Sequence, residues 1–339
     1  MSSSAPNILG ESPSFLSMLE HVSHAAPLDK PLLIIGERGT GKELVSQRLH
    51  FLSKRWDEPL VKLNCAALTE SLLESELFGH EAGAFTGAVG QHIGRFERAE
   101  GGTLLLDELG TIPLRMQEKI LRVIEYGEFE RVGGSDTLSV DVRVVGSTNE
   151  DLPRLARKGG FRHDLLDRLA FDVITVPPLR ARPEDILMLG EHFGVRAAQE
   201  LGRPLFPGFS EGAREILLTH PWPGNVRELK NVVERSLYRW PSLEDPVDAI
   251  SLDPFASPFR LRGPAVPDTG PDAGEDAAQA SAEHTPSLPV DLPEVVGNFE
   301  VRYIRAAMDA MNHNQRAAAE LLGLTYHQLR GRLRKYDLT

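Results

Sequence analysis

The sequence lacks what several protein classes require. It has a single cysteine, Cys65, so no intrachain disulfide can form, and its eleven histidines show none of the pairings that close a zinc site. We therefore predict no structural metal. No run approaches the roughly eighteen apolar residues of a membrane-spanning helix, and the chain does not start with a basic segment followed by an apolar one. We expect a cytoplasmic protein without stable insertion into a membrane.

Basic residues are missing from a long stretch near the C-terminus. Between Arg262 and Arg302 there is no lysine or arginine, and Pro, Ala, Gly, Asp and Glu dominate. Such a composition cannot bury enough apolar area to offset the entropy of ordering the chain. We predict a flexible linker over residues 253–296.

The charge of the chain is unevenly distributed. The net charge of −12 disfavours a general affinity for nucleic acid, because a phosphate backbone is repelled on average. From Arg302 to the end, however, seven basic residues stand against three acidic ones. Only this tail is suited to contact DNA.

The pattern of apolar residues divides the chain. Residues 31–176 alternate short apolar runs with amphipathic helical patterns, which is typical of an α/β unit with a largely parallel sheet, whereas after about Pro183 only helical patterns follow. We predict an α/β domain over residues 1–179, an all-helical domain over 180–252 and, after the linker, a small helical domain over 297–339.

A phosphate-binding loop follows the first apolar strand. The stretch GERGTGKE matches G-x-x-x-x-G-K between a strand and an amphipathic helix, a context that disfavours a chance glycine-rich turn. The residues predicted to bind nucleotide phosphates are Gly36, Glu37, Arg38, Gly39, Thr40, Gly41, Lys42 and Glu43. Glu43 stands where most such loops carry a hydroxyl that binds Mg²⁺, so metal binding depends more on Thr40, water or a later carboxylate.

A pair of carboxylates ends another apolar strand, GGTLLLDE. We predict that Asp107 holds Mg²⁺ and that Glu108 orients or deprotonates the attacking water, because phosphoryl transfer to water needs a metal and a positioned nucleophile. Taken alone, the pair is equally compatible with a solvated turn.

The basic tail predicts two helices around a glycine turn, the second starting near Thr325. Residues near the start of this helix are placed to reach bases, and later ones suit phosphates. The predicted DNA-binding residues are Thr325, Tyr326, His327, Gln328, Arg330, Arg332, Arg334 and Lys335. A basic dimerisation hairpin that never meets DNA is the alternative.

Five stretches carry a specific resemblance. In order, GERGTGKE, GAFTGA, GGTLLLDE, FRHDLLDRLAFDVITVPPLR and WPGNVRELKN resemble the AAA+ domain of bacterial enhancer-binding proteins, the activators of sigma-54 RNA polymerase. The resemblance covers roughly residues 7–250, and the tail resembles a Fis-type helix-turn-helix. With no sensing domain expected ahead of the ATPase, and with SKRW and GLTYHQLR, the chain is most similar to the phage-shock type of activator.

The resemblance implies an AAA+ P-loop domain with a parallel sheet, a small all-α lid and a helix-turn-helix domain, assembled into a hexameric ring with ATP and Mg²⁺ between neighbours. It assigns Asn64 as the switch that holds the catalytic glutamate and Arg227 as the sensor residue of the lid. It places Thr148 and Asn149 beside the γ-phosphate. It assigns Arg162 and Arg168 as arginine fingers that reach the ATP of a neighbouring subunit. Without the resemblance, pairing of these two arginines with Asp164 and Asp167 is the preferred interpretation.

Two aromatic residues receive roles from the resemblance alone. The loop that would contact sigma-54 comprises Gly83, Ala84, Phe85, Thr86, Gly87 and Ala88, and Trp56 would dock an inhibitor similar to phage shock protein A. From the residues alone, we favour packing of Phe85 onto the core and partial burial of Trp56 against a helix.

The implied function is ATP-dependent activation of transcription. The tail would bind upstream enhancer DNA while the ring remodels sigma-54 RNA polymerase holoenzyme from closed to open complexes in a stress response. A nucleotide-responsive DNA-binding repressor and a general AAA+ unfoldase are the alternatives. Neither needs GAFTGA, so the intact hexapeptide disfavours both.

Overall fold

The computed structural model describes residues 8–85, 87–256, 292–311 and 314–336. They fall into two compact units, divided at residues 257 and 258. Most of the predicted linker, residues 253–296, lies outside the described residues, as does Thr86. In the described part of the chain, no helix combines the length and the apolar character that crossing a bilayer requires.

The first unit is built on a parallel sheet, as predicted. Five strands pair in the order β2-β3-β6-β1-β7, and each neighbouring pair is parallel. A separate antiparallel hairpin, which the sequence pattern did not predict, joins β4 to β5. The strands are β1 (Leu32–Ile35), β2 (Leu60–Asn64), β3 (Thr103–Asp107), β4 (Glu128–Glu130), β5 (Thr137–Ser139), β6 (Arg143–Thr148) and β7 (Val173–Thr175).

Helices cover both faces of this sheet, because the central strands are apolar on both sides. Leu32 and Ile34 of β1 join a core with the first two helices, whereas Leu33 belongs to the core on the opposite face. The helices of this part are α1 (Pro13–Ala25), α2 (Lys42–Phe51), α3 (Glu70–Phe78), α4 (Arg95–Arg98), α5 (Leu114–Tyr126), α6 (Leu152–Arg157) and α7 (His163–Leu169).

A helical lid completes the first unit. It consists of α8 (Pro183–Glu200), α9 (Glu211–Thr219) and α10 (Asn225–Arg239) around a separate apolar core. Trp222, between α9 and α10, is fully buried in this core, and its indole N–H donates to the Leu217 carbonyl at 2.8 Å. The turn that leads into α10 is therefore held firmly against α9.

The second unit contains α11 (Leu292–Ala310), α12 (Gln315–Leu321) and α13 (Tyr326–Lys335). Gly323 adopts φ +65° in the turn between α12 and α13, a backbone conformation that glycine tolerates best. Thr325 caps α13 in a reciprocal capping box with Gln328. The predicted second helix near Thr325 is confirmed.

A buried glutamine fixes the start of α7. Gln117 of α5 is fully buried, its amide donates to the carbonyls of Ile112 (2.8 Å) and Gly160 (3.2 Å), and its oxygen accepts from the Arg162 N–H (2.8 Å). This one side chain satisfies three main-chain groups and sets the position of α7, which Arg162 precedes and which carries Arg168, the two predicted arginine fingers.

Replacing Gln117 should therefore destabilise the fold. Gln117→Leu keeps the volume but leaves buried polar groups unpaired, so we expect a loss of about 2–4 kcal/mol in the free energy of unfolding. Urea unfolding monitored by circular dichroism measures it. Arg122→Gln, an exposed position on the same helix, is the control and should change stability by less than about 0.5 kcal/mol. Equal stability of both variants would contradict this role.

Candidate functional site

The carboxyl ends of the parallel strands bring the predicted polar residues to one edge of the sheet. Asn64 at the end of β2 pairs in register with Asp107 at the end of β3, and Ile35 of β1 is opposite Thr148 of β6. The phosphate loop leaves β1 at this same edge. Residues that are up to 112 positions apart in sequence, counted from Gly36 to Thr148, thus become neighbours.

The loop between β1 and α2 has the geometry of an anion site. Gly39 and Gly41 have φ of +77° and +97°, and α2 begins directly after Gly41, so main-chain N–H groups and the helix start converge there. The Lys42 ammonium lies inside the loop and donates to the carbonyls of Gly36 (2.9 Å) and Glu37 (3.1 Å). The Thr40 hydroxyl donates to the Glu37 carbonyl at 2.8 Å.

The Lys42 ammonium is partly desolvated. Burial lowers the pKa of Lys42, and the carboxylates of Glu108 and Asp107 oppose this shift. A buried cation gains more from an incoming anion than an exposed one, because the interaction is less screened. The loop is thus poised for a phosphate group.

Asp107 and Glu108 differ in their surroundings. The Asp107 carboxylate accepts from the Ser147 hydroxyl at 2.5 Å and from the Asn64 amide at 3.4 Å. Glu108 has a left-handed backbone with φ +54°, which costs a residue with a side chain about 1 kcal/mol or more. Strain of this kind collects at functional sites.

Asn64 does not hold the glutamate in this structure. Among the described residues its amide donates to Asp107 and makes no hydrogen bond to Glu108, while its oxygen accepts from the Ala66 N–H at 3.0 Å. The register of β2 and β3 explains the difference, since it places Asn64 directly opposite Asp107.

A cavity of about 550 Å³ opens between the phosphate loop, the carboxylate pair and the lid. Arg227 of α10 lines it together with Lys42, Asp107 and Glu108. The main-chain N–H of Arg227 also donates to the Gly39 carbonyl at 3.3 Å. Glu43 lines the same cavity, and its carboxylate pairs with Lys62 at 2.9 Å.

Thr148 and Asn149 are arranged differently from each other. Thr148 is fully buried and its hydroxyl accepts from the Glu150 N–H at 3.0 Å. Asn149 lines a second cavity of about 600 Å³, and within the described structure its buried Oδ1 atom has no hydrogen-bond partner. Glu37 also lines this second cavity, so the two cavities lie on either side of the phosphate loop.

The sequence did not predict an apolar cleft beside the phosphate loop. A small cavity of about 160 Å³ is lined by Ile8 and Leu9, by Phe193 of α8 and by Val226 of α10, next to Gly41. Its lining also includes Arg182, His192 and Arg196. A mainly apolar cleft with a few polar groups beside a phosphate loop suits a nucleotide base. No local pattern could have revealed this cleft, because its walls come from four separate segments of the chain.

The predicted arginine fingers pair with carboxylates outside the nucleotide cavity of their own chain. Arg162 forms a bidentate pair with Asp164 (3.0 and 2.7 Å), and Arg168 donates to Glu125 of α5 at 2.7 Å. The pairing of Arg168 with Asp167 is wrong, because adjacent residues of a helix do not face each other. Of the residues described, those that line the 550 Å³ cavity do not include either arginine.

The described residues of the GAFTGA segment, 83–85 and 87–88, belong to a solvent-exposed turn, here called the projecting turn. Its ends are closed by a hydrogen bond from the Gly83 N–H to the Ala88 carbonyl at 2.8 Å, and Gly83 and Gly87 have φ of +82° and +103°. Phe85 is 45% exposed and only its edge contacts His80, with ring centroids 4.9 Å apart. The expectation that Phe85 packs onto the core is therefore wrong.

The base of this turn is tied to its neighbours by charge. Arg131, which follows β4, pairs with Glu81 at 2.8 Å and with Glu97 of α4 at 2.5 Å. These carboxylates raise the pKa of Arg131. Separately, Trp56 is 61% exposed, contrary to the burial that its sequence context favours.

A lid turn contacts the phosphate loop directly, which the sequence did not show. The fully buried Asn225 donates to Glu37 Oε2 (3.1 Å) and to the Arg38 carbonyl (3.0 Å), and accepts from the Leu179 N–H (2.8 Å). Arg180 forms a bidentate pair with Glu37. The hydrogen bond from Arg180, with that from Asn225, lowers the pKa of Glu37 to about 2.

Most of the predicted DNA-binding set in the helix-turn-helix unit is exposed to solvent, and only Tyr326 and Arg332 are half-buried. Arg332 and the exposed Lys335 lie 3.5 and 4.0 Å from Glu300 of α11. The capping box occupies the side chains of Thr325 and Gln328. The Arg316 guanidinium lies over the Tyr326 ring, 5.8 Å from the ring centroid. The Tyr326 ring is also in edge contact with the His327 ring.

A phosphate loop between a buried strand and a helix, a carboxylate pair on an adjacent strand and a helical lid define a P-loop NTPase of the AAA+ class. The comparisons with known proteins specify it further. Residues 8–175 match the family model described as Sigma-54 interaction domain, residues 180–252 match AAA+ ATPase lid domain, and residues 296–336 match bacterial regulatory protein, Fis family.

Individual relatives agree with these matches. The chain is 57% identical to the Psp operon transcriptional activator of Escherichia coli (strain K12), over 98% of each chain. It is 42% identical to a Nif-specific regulatory protein of Azotobacter vinelandii, over 98% of this chain and 59% of that one. A crystal structure of NtrX from Brucella abortus in complex with ATP matches with a TM-score of 0.68 at 33% identity, covering 98% of this chain and 70% of that one. The chain belongs to the family of sigma-54-dependent transcriptional activators.

The pair between Glu37 and Arg180 predicts a specific dependence on pH. Because the folded state lowers the pKa of Glu37 from 4.5 to about 2, the pair stabilises the fold above pH 4.5 and loses this contribution as the pH falls toward 2. The stability advantage of the wild type over Glu37→Gln should therefore shrink between pH 5 and the acid limit of folding. Urea unfolding at a series of pH values measures it. A difference that stays constant across this range would contradict the prediction.

Proposed function

We propose that this protein is an ATP-driven transcription activator that binds upstream enhancer DNA and remodels sigma-54 RNA polymerase holoenzyme from closed to open promoter complexes. The observation that carries the proposal is the projecting turn at Gly83–Ala88, with a half-exposed Phe85 between two glycines of positive φ. An exposed aromatic residue on a turn of this kind suits a protein contact. It stands on the same domain as the nucleotide site.

The residues of the site fit ATP and Mg²⁺. The main-chain N–H groups of the loop and the Lys42 ammonium would bind the phosphates, and the cleft at Ile8, Leu9, Phe193 and Val226 would take the base. Among the described residues no group of three or more metal-binding side chains occurs. Asp107 would therefore hold Mg²⁺ together with phosphate oxygens and water, as is usual for this ion.

The roles of the remaining groups follow from their positions. Glu108 would orient the attacking water, and bound Mg²⁺ would neutralise charge on the phosphate oxygens. Thr148 and Asn149 would report on the γ-phosphate from the end of β6. Asn64, which lies 3.4 Å from Asp107 in this structure, would move to Glu108 in another nucleotide state. Arg227 would reach the nucleotide from the lid.

Arg162 and Arg168 would complete the site of a neighbouring subunit. Both pair with carboxylates, and among the described residues neither lines the 550 Å³ cavity of its own chain. A guanidinium that arrives from a neighbour would stabilise charge on the transferring phosphoryl group, so hydrolysis would require assembly. We propose a hexameric ring for this assembly.

Further partners extend the proposal. The exposed Arg330 and Arg334 support DNA contacts by α13, with the predicted linker giving the tail its reach. The exposure of Trp56 supports contact with an inhibitor similar to phage shock protein A, and the name of the Escherichia coli relative supports a phage-shock-type stress response. We propose a cytoplasmic location and the domain boundaries at residues 179, 252 and 296.

Promoter opening separates this proposal from its alternatives. The purified full chain should form open complexes on a sigma-54 promoter only with ATP. In Thr86→Ala, ATP hydrolysis should stay within about twofold of wild type while open complexes fall more than about tenfold, because the substitution alters only the polymerase contact. Permanganate footprinting and phosphate release measure the two activities. Equal loss of both would mean that the turn is merely structural.

Mixing two inactive variants tests whether neighbouring subunits share the site. Lys42→Ala lacks the phosphate cation and Arg168→Ala lacks the finger, so each alone should hydrolyse little ATP. In an equal mixture, roughly a quarter of the interfaces join an intact loop to an intact finger, and activity should return in proportion. Phosphate release from the mixture measures it. If Arg168→Ala alone is fully active, or mixing restores nothing, the shared site is refuted.

A further inference from the structure

A buried side chain of the lid, Asn225, is hydrogen-bonded to the phosphate loop. Asn225 makes three hydrogen bonds with its side-chain amide, to Glu37, to the Arg38 carbonyl and to the Leu179 N–H. The first two partners belong to the phosphate loop, and the third lies at the connection between the α/β domain and the lid. The side-chain amide of Asn225 thus joins the phosphate loop, the connection between the two domains at Leu179, and the lid helix α10.

The contact around Asn225 is tight. A Cβ atom built on Gly39 would stand 2.2 Å from the Gly224 carbonyl oxygen, so the loop and the lid turn touch through their main chains. The lid side of this contact is rigid, since the Gly224 N–H donates to Glu228 at 2.7 Å and the neighbouring Trp222 is anchored in the lid core. A displacement of residues 37–39 would therefore be passed to α10 rather than absorbed by the turn.

The chemistry of the position selects asparagine. Asn225 has φ +52°, and asparagine tolerates this left-handed conformation better than other residues with a side chain. Its oxygen must accept from Leu179 while its nitrogen donates to Glu37 and Arg38. Aspartate lacks the donors, glycine lacks the side chain, and only an amide of this length supplies both.

We infer that Asn225 is a positioning residue that couples the nucleotide loop to the lid, so that the nucleotide bound at residues 36–43 sets the position of α10 and of Arg227. The inference rests on the nucleotide site of the proposed function. Asn225 acts through Glu37, Arg38 and Leu179, and none of its hydrogen bonds needs to touch the nucleotide. Coupling of this kind between two parts of a protein is worth roughly 5–150-fold in an equilibrium constant.

Asn225→Asp isolates the loop side of this contact, because it keeps the acceptor for Leu179 but faces Glu37 with a second carboxylate. The affinity for ADP should stay within about threefold of wild type, since the phosphate-binding groups are untouched, while kcat falls at least about tenfold because Arg227 is misplaced. Titration calorimetry and phosphate release measure the two. Hydrogen exchange should show that ADP slows exchange across residues 225–239 in the wild type but not in the variant.

A reversal of the polar pair distinguishes coupling from mere stability. In the double variant Glu37→Gln, Asn225→Asp, the amide introduced at position 37 can donate to the carboxylate introduced at position 225, while the Arg38 carbonyl stays without its donor. The loss of kcat should therefore be at least about threefold smaller than the product of the two single losses. Gln199→Glu adds the same charge at an exposed position of α8 and should leave kcat and exchange unchanged. If Asn225→Asp fails to fold, Asn225→Gly, which relieves the backbone strain but removes all three bonds, takes its place.

Two outcomes would overturn the inference. One is a kcat and an ADP-dependent exchange pattern in Asn225→Asp that match the wild type. The other is a double variant whose loss of kcat is the product of the two single losses. None of these readouts uses DNA or polymerase. A wild type that hydrolyses ATP but opens no promoter would therefore refute the activator function, and the coupling between loop and lid could still be measured. A wild type that hydrolyses no ATP would refute the ATPase, and ADP-dependent exchange would still test the coupling.

Discussion

The parallel pairing of buried strands determines where polar functional side chains can lie in this protein. Because β1, β3 and β6 are covered on both faces, their middle residues carry apolar side chains or none, and polar side chains stand toward the strand ends. The phosphate loop, Asp107 and Thr148 therefore emerge together at one edge of the sheet. The cost of desolvating Lys42 and the strain at Glu108 are sustained by this surrounding core.

The lid adds a second constraint, since it reaches the loop through main-chain contact. Among the described residues, three that are not glycine have positive φ, and these are Glu108, Trp222 and Asn225. One follows the strand that carries Asp107, and the other two form the lid turn against the phosphate loop. Glu108 lines the 550 Å³ cavity itself, and Asn225 directly precedes Val226 and Arg227, which line it from the lid.

The predictable part of the structure was the part encoded locally. Apolar runs predicted the five parallel strands, and GERGTGKE predicted its loop, because each pattern and its structure occupy the same few residues. The Asn225 contact, the base cleft and the Arg168 pair with Glu125 join distant segments and left no pattern in either one. Taken alone, the residues favoured burial of Phe85 and Trp56, because a lone aromatic residue carries no sign of which side it faces, whereas the contacts that the resemblance implies for both require the exposure that the structure has.

The connection between site and projecting turn is continuous in the chain. Asn64, beside Asp107, leads through the buried Cys65 into α3, and α3 ends at Phe78, five residues before Gly83. Phe78 stacks on Phe96 with ring centroids 5.5 Å apart and also contacts Phe129, so the root of the turn is set in a rigid aromatic cluster. The glycines of the turn, Gly83 and Gly87, come after this cluster in the chain. Arg131 forms an ion pair with Glu81 at the base of the turn. In the proposed function, a change at Asn64 would therefore move α3 as a body and be converted into motion of the turn at its glycine hinges, because a close-packed aromatic cluster transmits displacement and does not absorb it.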